Sequence, residues 1–578
     1  MKVFFRFFRE YPKESILAPL FKLLEACFDL FVPLVVAEII DEGINGGRGD
    51  SYIWWCAAIL VLLAIVGLIC AVTAQYFAAK AAVGTATGLR HELFSHIQHF
   101  SYARTDKVGT STMITRMTSD INQIQSGINM TLRLTLRSPI IVFGAMIMAF
   151  TIDTQLALIF AAAIPVLALV VFGVMLGGIP LYRRVQSKLD QVTSATRSNL
   201  GGVRVIRAFR KEEEEVTKFD RINREQTDLQ NKAGFLSALM NPVTYVLVNL
   251  AVVLIIWKGH IPVNEGKLTQ GQIIALVNYM GQILVELIKL ANAIFLITKA
   301  VACGNRVEAV LEMSAGMDVL PEASEGGDKT LAVEFDGVEL TYPGGGAPSL
   351  SGIDLRVKPG ETVGIIGGTG SGKTSLVNLI PRFYDVTRGA VRVHGQDVRS
   401  MQPTDLRVHI GMVPQKAELF RGTIRSNLLW GTADGQADDE TLWAALEAAQ
   451  AADFVRSKEG GLDAPVDQKG RNFSGGQRQR LTIARALVGQ PDILILDDSA
   501  SALDFATDAA LRKALRTLPG HPTVFIISQR TSSIHACDQI LVLEDGHPAG
   551  LGRHEELLQT CPLYREIHES QFKGGEAQ

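Results

Sequence analysis

A glycine-rich stretch, GGTGSGKT at residues 367–374, has the residue types and the spacing that could hold phosphate groups. It fits the pattern G-x-x-x-x-G-K-S/T, follows the apolar run ETVGIIG and opens the helical run TSLVNLI, which is the context that this pattern requires. Glycines let backbone N–H groups approach phosphate oxygens, and the N-terminus of the following helix adds positive potential. Lys373 is expected to meet the β- and γ-phosphates of ATP, and the Thr374 hydroxyl to ligate Mg²⁺. The predicted nucleotide-binding residues of this stretch are Gly367, Gly368, Thr369, Gly370, Ser371, Gly372, Lys373, Thr374 and Ser375.

A second stretch, DILILDD at residues 492–498, is typical of a buried strand that ends in carboxylates. In parallel sheets the ligand-binding residues lie at the carboxyl ends of the strands, so Asp497 is predicted to lie beside the phosphate-binding loop and to hold Mg²⁺ through water. The alternative, that Asp497 caps a helix, leaves the phosphate-binding loop without the carboxylate partner that it needs.

Between these two stretches lies RNFSGGQRQRLTIARAL, and the three together resemble the ATP-binding cassette (ABC) transporter family. The resemblance covers nearly the whole chain, with membrane and nucleotide-binding domains fused in the order of an exporter half. It implies that the loop FSGGQ is the family signature, which opens a helix whose N-terminus faces the γ-phosphate of ATP held by the opposite subunit. The signature residues are Ser474, Gly475, Gly476 and Gln477.

The resemblance also implies roles for single residues. Tyr342 in LTYP matches the aromatic residue that stacks on adenine, and Gln415 in MVPQ matches the glutamine that senses Mg²⁺ and contacts the membrane-domain helices. Asp504 in SALD matches a residue that lies across the dimer interface. Considered alone, Tyr342 is equally typical of a packing residue at a strand end, and Gln415 of a solvated loop.

Two positions depart from the family pattern. Asp498 stands where the family has the Glu that polarises the attacking water, and Gln529 in FIISQR stands where it has the His that steadies the γ-phosphate. Asp is one methylene shorter than Glu, so its carboxylate would stand back by about 1.5 Å, and an error of ~1 Å can reduce a rate roughly a hundredfold. Gln529 can donate a hydrogen bond but carries no positive charge. With both catalytic positions altered, slow or absent hydrolysis is predicted; the alternative is adequate hydrolysis by Asp498 in a variant geometry.

In this family each ATP lies between the phosphate-binding loop of one chain and the signature of the other. A homodimer of this chain would therefore have two impaired sites. We predict a heterodimer in which a related half supplies Glu and His and this chain supplies an intact signature, as in heterodimeric multidrug-type exporters. Two alternatives remain open: a nucleotide-gated channel or regulatory subunit, and a slow homodimeric exporter.

The N-terminal half must hold these elements at a membrane. At 578 residues the chain exceeds one domain, and residues 14–300 contain long apolar runs. Eight Lys and Arg residues lie between positions 183 and 211, whereas the predicted loops at 42–52 and 151–156 carry only Arg48, so the basic side is cytoplasmic. The predicted transmembrane helices lie near 15–40, 53–75, 130–151, 155–178, 237–257 and 273–299.

The predicted fold class is therefore a membrane α-helical domain of six transmembrane helices with long cytoplasmic extensions, followed by an α/β P-loop nucleotide-binding domain. We place the membrane domain at 1–312, a linker at 313–329 and the nucleotide-binding domain at 330–578. Two cytoplasmic coupling hairpins are predicted near residues 103–111 and 197–203. The expected location is the cell membrane, multi-pass, with the nucleotide-binding domain in the cytoplasm.

Other features limit the partners. The start MKVFFRFFREYPKES predicts an interfacial amphipathic segment and no removable signal peptide. A net charge of −3 without a basic tract gives no reason to expect nucleic acid, and the six cysteines lack metal-ligand spacing. The partners expected are therefore the related half, the lipid bilayer and an exported small molecule or peptide whose identity the sequence does not indicate.

Three pairs of charged residues fall within the predicted spans. They line a polar cavity or pair with each other near the cytoplasmic leaflet, and the sequence favours neither. The pairs are Glu25 with Asp29, Arg133 with Arg137, and Glu286 with Lys289.

Overall fold

The structure, a computed structural model, describes residues 10–314, 316, 319–320 and 327–572. These residues form two compact units. The first contains the residues through His96 together with Ser111–Met313, and the second contains Ile97–Thr110 and the residues from Ser314 onward. Residues 1–9 of the predicted interfacial segment and much of the predicted linker lie outside the described residues.

Long helices dominate the chain before residue 314. A π-helical turn, Ile39–Asn45, follows the first helix, and another, Arg116–Asp120, precedes the fifth. The helices of this part are α1 Pro12–Glu38, α2 Asp50–Gln98, α3 Tyr102–Val108, α4 Thr110–Thr115, α5 Ile121–Leu134, α6 Arg137–Ile152, α7 Thr154–Gly201, α8 Val203–Ala208, α9 Glu212–Asn264 and α10 Gln270–Leu311.

The helical membrane domain expected from the sequence is confirmed, but only five of the six predicted spans are apolar enough by composition. Within the described residues, the segments long and apolar enough to cross a membrane are Asp50–Gln98, Thr110–Ile152, Thr154–Gly201, Glu212–Asn264 and Gln270–Leu311. Helix α1 covers the other predicted span and is 27 residues long. Three charged residues in the middle of this helix, Lys22, Glu25 and Asp29, set it apart from the other five.

Arg137, near the start of α6, connects the charged residues of three helices. Its guanidinium donates to Glu286 Oε1 at 2.6 Å and to Asp29 Oδ2 at 2.8 Å, and its Nε lies 3.7 Å from Glu25 Oε1. Lys289 donates to the same Glu286 oxygen at 2.9 Å. Because charges buried among helices are stable only when paired, this network joins α1, α6 and α10.

The same network also faces open space. Asp29, Arg137, Glu286 and Lys289 line a cavity of about 480 Å³ between these helices. These four residues therefore pair with one another and also line the cavity, and their position relative to the cytoplasmic leaflet stays a prediction. Arg133 lies apart from the network and contacts Asn129 Oδ1 at 3.5 Å.

Two sheets form most of the second unit. An antiparallel sheet has the order β2-β1-β4-β5, and a six-stranded sheet has the order β12-β11-β3-β10-β9-β6, in which only β12 is antiparallel to its neighbour. The longer strands are β1 Val333–Leu340, β2 Leu350–Val357, β3 Thr362–Gly367, β4 Arg388–Val393, β6 Ile410–Val413, β9 Ile493–Asp497, β10 Thr523–Ile527, β11 Gln539–Glu544 and β12 His547–Gly552, and the two-residue strands are β5 Gln396–Asp397, β7 Gly422–Thr423 and β8 Pro465–Val466.

Short helices connect these strands and cover the larger sheet. The strands β3, β9 and β10 are almost entirely buried, as expected for a parallel sheet covered on both faces. The helices are α11 Lys373–Val377, α12 Pro403–Val408, α13 Ile424–Leu428, α14 Asp439–Ala448, α15 Ala452–Arg456, α16 Gly475–Val488, α17 Phe505–Arg516, α18 Thr531–Ile534, α19 His554–Thr560 and α20 Pro562–Phe572.

Helix α3 belongs to the second unit, although its chain neighbours belong to the first. The Tyr102 ring stacks on Phe383 with centroids 4.3 Å apart, and the Tyr384 hydroxyl donates to Asp106 Oδ2 at 2.8 Å. Burial, followed by this hydrogen bond, raises the pKa of Tyr384. The segment predicted as the first coupling hairpin is thus held to the α/β unit by aromatic packing and one hydrogen bond.

The central position of Arg137 predicts an unequal response to two substitutions. Arg137→Ala is expected to lower the free energy of unfolding by about 3–5 kcal/mol, because it leaves the buried Glu286 carboxylate without its closest charged partner. Lys289→Ala is the matched control; its ammonium is half-exposed, so its loss is expected to cost about 1 kcal/mol or less. Thermal unfolding of both variants in detergent micelles measures the difference, and equal shifts would contradict the central role of Arg137.

Candidate nucleotide-binding site

The phosphate-binding loop connects β3 to α11 and has two positions that only glycine fits. A Cβ on Gly367 would lie 2.1 Å from the Leu543 carbonyl oxygen of the adjacent strand β11. Gly372 has a φ of 93°, and a Cβ there would lie 2.7 Å from Leu350 Cδ2. The loop can therefore turn tightly and bring its backbone N–H groups close to a bound anion.

Lys373 lies across the mouth of this loop. Its ammonium donates to the carbonyl oxygens of Gly367 at 2.9 Å and Gly368 at 2.6 Å. Burial lowers the pKa of Lys373, while Asp498 and Asp497 favour its charged form. Such an incompletely solvated cation, held by the loop's own carbonyls, is well placed to interact with phosphate oxygens.

Thr374 and Asp497 form the oxygen pair predicted to hold Mg²⁺. The Thr374 hydroxyl lies 3.0 Å and 3.2 Å from the two carboxylate oxygens of Asp497, which is 2% exposed. Burial raises the pKa of Asp497, and the neighbouring Asp498 raises it further. Hard oxygen ligands beside a phosphate-binding loop fit Mg²⁺, which supplies charge neutralisation for the phosphates when bound.

Asp498 follows β9 directly and has left-handed backbone geometry, with a φ of 46°. Asp tolerates this region better than most residues, and its N–H donates to the Ile527 carbonyl at 3.1 Å, which holds it beside β10. Gln415 Nε2 lies 3.5 Å from Asp498 Oδ2. Burial raises the pKa of Asp498, and the contact with Gln415 opposes this rise.

Most of the predicted residues meet in one cavity of about 470 Å³. Five residues that were not among the predicted site residues also line it, namely Pro348, Ser349, Ile527, Ser528 and Asp545. Asp545 follows β11, which is hydrogen-bonded to β3, so the strand order was the missing information. The predicted residues that line the cavity are Thr369, Gly370, Gly372, Lys373, Thr374, Ser375, Gln415, Asp497, Asp498 and Gln529.

Tyr342 lies close to the loop but not among the residues that line the cavity. Its hydroxyl donates to Ser375 Oγ at 2.9 Å, and its ring meets Tyr384 edge-on with centroids 4.9 Å apart. Tyr342 is therefore anchored to the first turn of α11. The stacking of this ring on adenine stays a prediction.

The signature residues begin helix α16 and, within this single chain, lie outside the cavity. Ser474 and Gln477 form a capping box, in which the Ser474 hydroxyl accepts from the Gln477 N–H at 3.3 Å and Gln477 Oε1 accepts from the Ser474 N–H at 3.0 Å. A Cβ on Gly475 would have no neighbour within 4 Å. The helix N-terminus is thus well formed and open beside its first residue.

Asp504 caps helix α17. Its carboxylate accepts from the Thr507 N–H at 2.8 Å and from the Thr507 hydroxyl at 2.9 Å, and these bonds lower the pKa of Asp504. The carboxylate is exposed, and its expected place at a dimer interface stays a prediction.

Comparison with known proteins decides the family. The model of the ABC transporter transmembrane region matches residues 15–287, and the ABC transporter model of the ATP-binding part matches residues 350–501. The chain is 38% identical to an ABC transporter ATP-binding protein of Mycobacterium tuberculosis, over 97% of each chain. This chain belongs to the ABC transporter family.

Two further proteins extend the similarity. The ATP-dependent lipid A-core flippase of Salmonella typhimurium is 30% identical to this ABC transporter over 96% of this chain and 95% of the flippase. A solved structure of a bacterial Atm1-family ABC exporter with ATP bound covers 98% of both chains, with a TM-score of 0.79 and 24% identity, and shows the shared fold. The chain accordingly carries the membrane and ATP-binding domains of an ABC transporter fused in one polypeptide.

The buried Asp497 carboxylate predicts a pH-dependent trade-off between stability and Mg²⁺ binding. The pKa of Asp497 is raised on folding, so its ionisation destabilises the folded protein; this loss is absent below the unfolded-state pKa of about 4 and develops as the pH rises through the folded-state pKa. Asp497→Asn is therefore expected to raise the melting temperature of the nucleotide-free transporter at neutral pH, by a margin that shrinks in acid. The same variant is expected to gain much less stability than the wild type from ATP with Mg²⁺.

Melting temperatures measured from about pH 4 to neutral pH test the predicted stabilisation. Melting temperatures measured with and without Mg²⁺ and ATP test the predicted loss of ligand binding. Asp453→Asn removes an exposed carboxylate of the same unit and serves as the control, with no comparable change expected. A variant Asp497→Asn that is less stable than the wild type at neutral pH and equally stabilised by Mg²⁺ and ATP would refute the assignment.

Proposed function

We propose that this ABC transporter is one subunit of a heterodimeric exporter. Its own phosphate-binding loop binds ATP with Mg²⁺ at a site of impaired hydrolysis, and its signature loop completes the competent site of a related subunit. The proposed domains are the membrane domain at 1–312, the linker at 313–329 and the nucleotide-binding domain at 330–578, with helix α3 held against the last of these.

Intact binding equipment supports the first part of this proposal. Lys373, Thr374 and Asp497 line one cavity, and the geometry of the loop excludes side chains at Gly367 and Gly372. A chain that had lost nucleotide binding would have no need to keep a buried carboxylate whose pKa is raised by burial, because replacing it would stabilise the fold. The site is therefore built to hold Mg²⁺ and ATP.

The observation that carries the proposal is the presence of Asp498 and Gln529 in this same cavity. Both line it beside Thr374, at the positions where the family has Glu and His. The shorter Asp498 carboxylate is held toward Gln415, and the Gln529 amide can donate a hydrogen bond without positive charge. Binding is thereby separated from hydrolysis, because polarising water demands a closer position of the carboxylate than binding does.

The signature loop supports the second part. The side-chain oxygens of Ser474 and Gln477 each accept a hydrogen bond from the other residue's backbone N–H, so the N-terminus of α16 is formed without a ligand. The absence of a side chain at Gly475 leaves space for a ligand. Such a preformed helix N-terminus attracts the γ-phosphate of a nucleotide bound to a partner. A related subunit with Glu and His would gain from it a complete site.

Restoring the two altered residues tests the proposed impairment in this chain alone. The wild-type chain, purified in lipid nanodiscs, is expected to bind ATP with Mg²⁺ but to hydrolyse it slowly. The double variant Asp498→Glu with Gln529→His is expected to hydrolyse ATP on the order of a hundredfold faster, because the carboxylate regains its reach. Adding Lys373→Ala to the double variant is the control and is expected to remove the gain.

Co-expression with a related half that carries Glu and His tests the pairing. The pair is expected to hydrolyse ATP briskly, and replacing the partner's Glu with Gln is expected to abolish this activity. Full hydrolysis and transport by the wild-type chain alone would instead establish a homodimeric exporter, and ATP-gated conductance without accumulation of cargo would establish a channel.

A further inference from the structure

We propose that Gln571, in the last turn of the C-terminal helix α20, is a positioning residue that sets the Gln529 loop of the nucleotide site. The inference rests on the proposed function, because it assigns Gln529 to the γ-phosphate side of the bound ATP. Gln571 touches no part of the cavity itself and acts through the backbone of the loop.

The side-chain amide of Gln571 makes three hydrogen bonds to the loop. Its Nε2 donates to the Gln529 carbonyl at 2.7 Å, while its Oε1 accepts from the Thr531 N–H at 2.9 Å and from the Thr531 hydroxyl at 3.0 Å. The two partners lie on either side of Arg530. An amide fits this task because it offers a donor and an acceptor at one end, which neither a carboxylate nor an ammonium can do.

Helix α20 is anchored firmly enough to support such a clamp. Tyr564 is fully buried in the core of this unit, and its hydroxyl lies 2.7 Å from His554 Nδ1. Tyr564, His568 and Gln571 recur at intervals of four and three residues and so share one face of the helix. His568 Nδ1 lies 3.1 Å from the Thr531 hydroxyl, which gives the same loop residue a second contact from this face.

The other end of the loop is tied to the sheet. The Ser528 N–H donates to the Ile365 carbonyl of β3 at 3.1 Å, and the Ser528 hydroxyl accepts from the Arg530 N–H at 3.0 Å. Gln529 thus lies between two fixed points, the end of β10 and the Gln571 amide. Gln529 lines the cavity and is bonded to Gln571 through its carbonyl oxygen, which leaves its side-chain amide for ATP under the proposed function.

This arrangement predicts an effect that depends on the γ-phosphate. Without the clamp, residues 529–531 can sample more conformations, and the Gln529 amide must be ordered each time that ATP binds. ADP has no γ-phosphate and does not use this contact. The loss of Gln571 should therefore weaken ATP binding more than ADP binding, whereas a general loss of structure would weaken both.

Calorimetric titration of the full chain in nanodiscs with ATP and with ADP, each with Mg²⁺, tests the proposal. Gln571→Met keeps the shape of the side chain and removes its hydrogen bonds. It is expected to raise the Kd for ATP about three- to tenfold, the effect of one or two net hydrogen bonds, and the Kd for ADP less than about twofold. The matched control is Ser570→Ala, which removes a hydroxyl that donates to the Ile567 carbonyl of its own helix, and no change in either Kd is expected.

A double-variant cycle separates positioning from structural damage. If Gln571 acts through Gln529, then Gln571→Met adds nothing to the ATP affinity lost in Gln529→Ala. Equal losses for ATP and ADP, additive losses in the cycle, or an ATP affinity unchanged in Gln571→Met would each overturn the proposal. If Gln529→Ala changes ATP affinity and Gln571→Met does not, only this inference fails; if the wild type binds no ATP, the proposed function fails as well.

Discussion

The nucleotide site depends on the alignment of three neighbouring parallel strands of the large sheet, whose carboxyl ends lie side by side. Strand β10 pairs with β3 on one side and β9 on the other, and the register sets Ile527 beside both Ile365 and Asp497. Because these strands end on the same side of the sheet, the phosphate-binding loop, Asp497 and the Gln529 loop leave the sheet together. A slip of one residue in β9 would turn Asp497 to the opposite face of the sheet.

This constraint explains how a site can retain nucleotide binding while the residues expected to act in hydrolysis differ. Gly367 and Asp497 are the last residues of β3 and β9, where a close carbonyl oxygen and burial, respectively, restrict their replacement. Asp498 and Gln529 come one or two residues after their strands, and both line the cavity. Under the proposed function, substitution at these two positions alters hydrolysis with less effect on the fold than substitution at the strand ends.

The parts of the site that are contiguous in sequence could be predicted, and the parts brought together by tertiary packing could not. The phosphate-binding loop and Asp497 follow apolar runs that are recognisable as strands, and the structure brings them into one cavity. Asp545 and Gln571 have no such signal, since their roles depend on strand order and on the packing of a distant helix. Likewise, the sequence shows that α1 carries charged residues. It does not show that Arg137 pairs with Asp29 and Glu286, because that pairing depends on how the helices pack.

The C-terminal helix holds the backbone of the Gln529 loop. Gln571 bonds to the carbonyl of residue 529 and to the N–H of Thr531, groups that every residue except proline provides in the same place. The backbone of the loop is therefore held independently of the side chain at position 529. Another residue at position 529 would meet the same clamp, because Gln571 bonds to the carbonyl oxygen of this residue. A support that does not depend on the side chain at position 529 is compatible with the proposed function, in which the site holds ATP and hydrolyses it slowly.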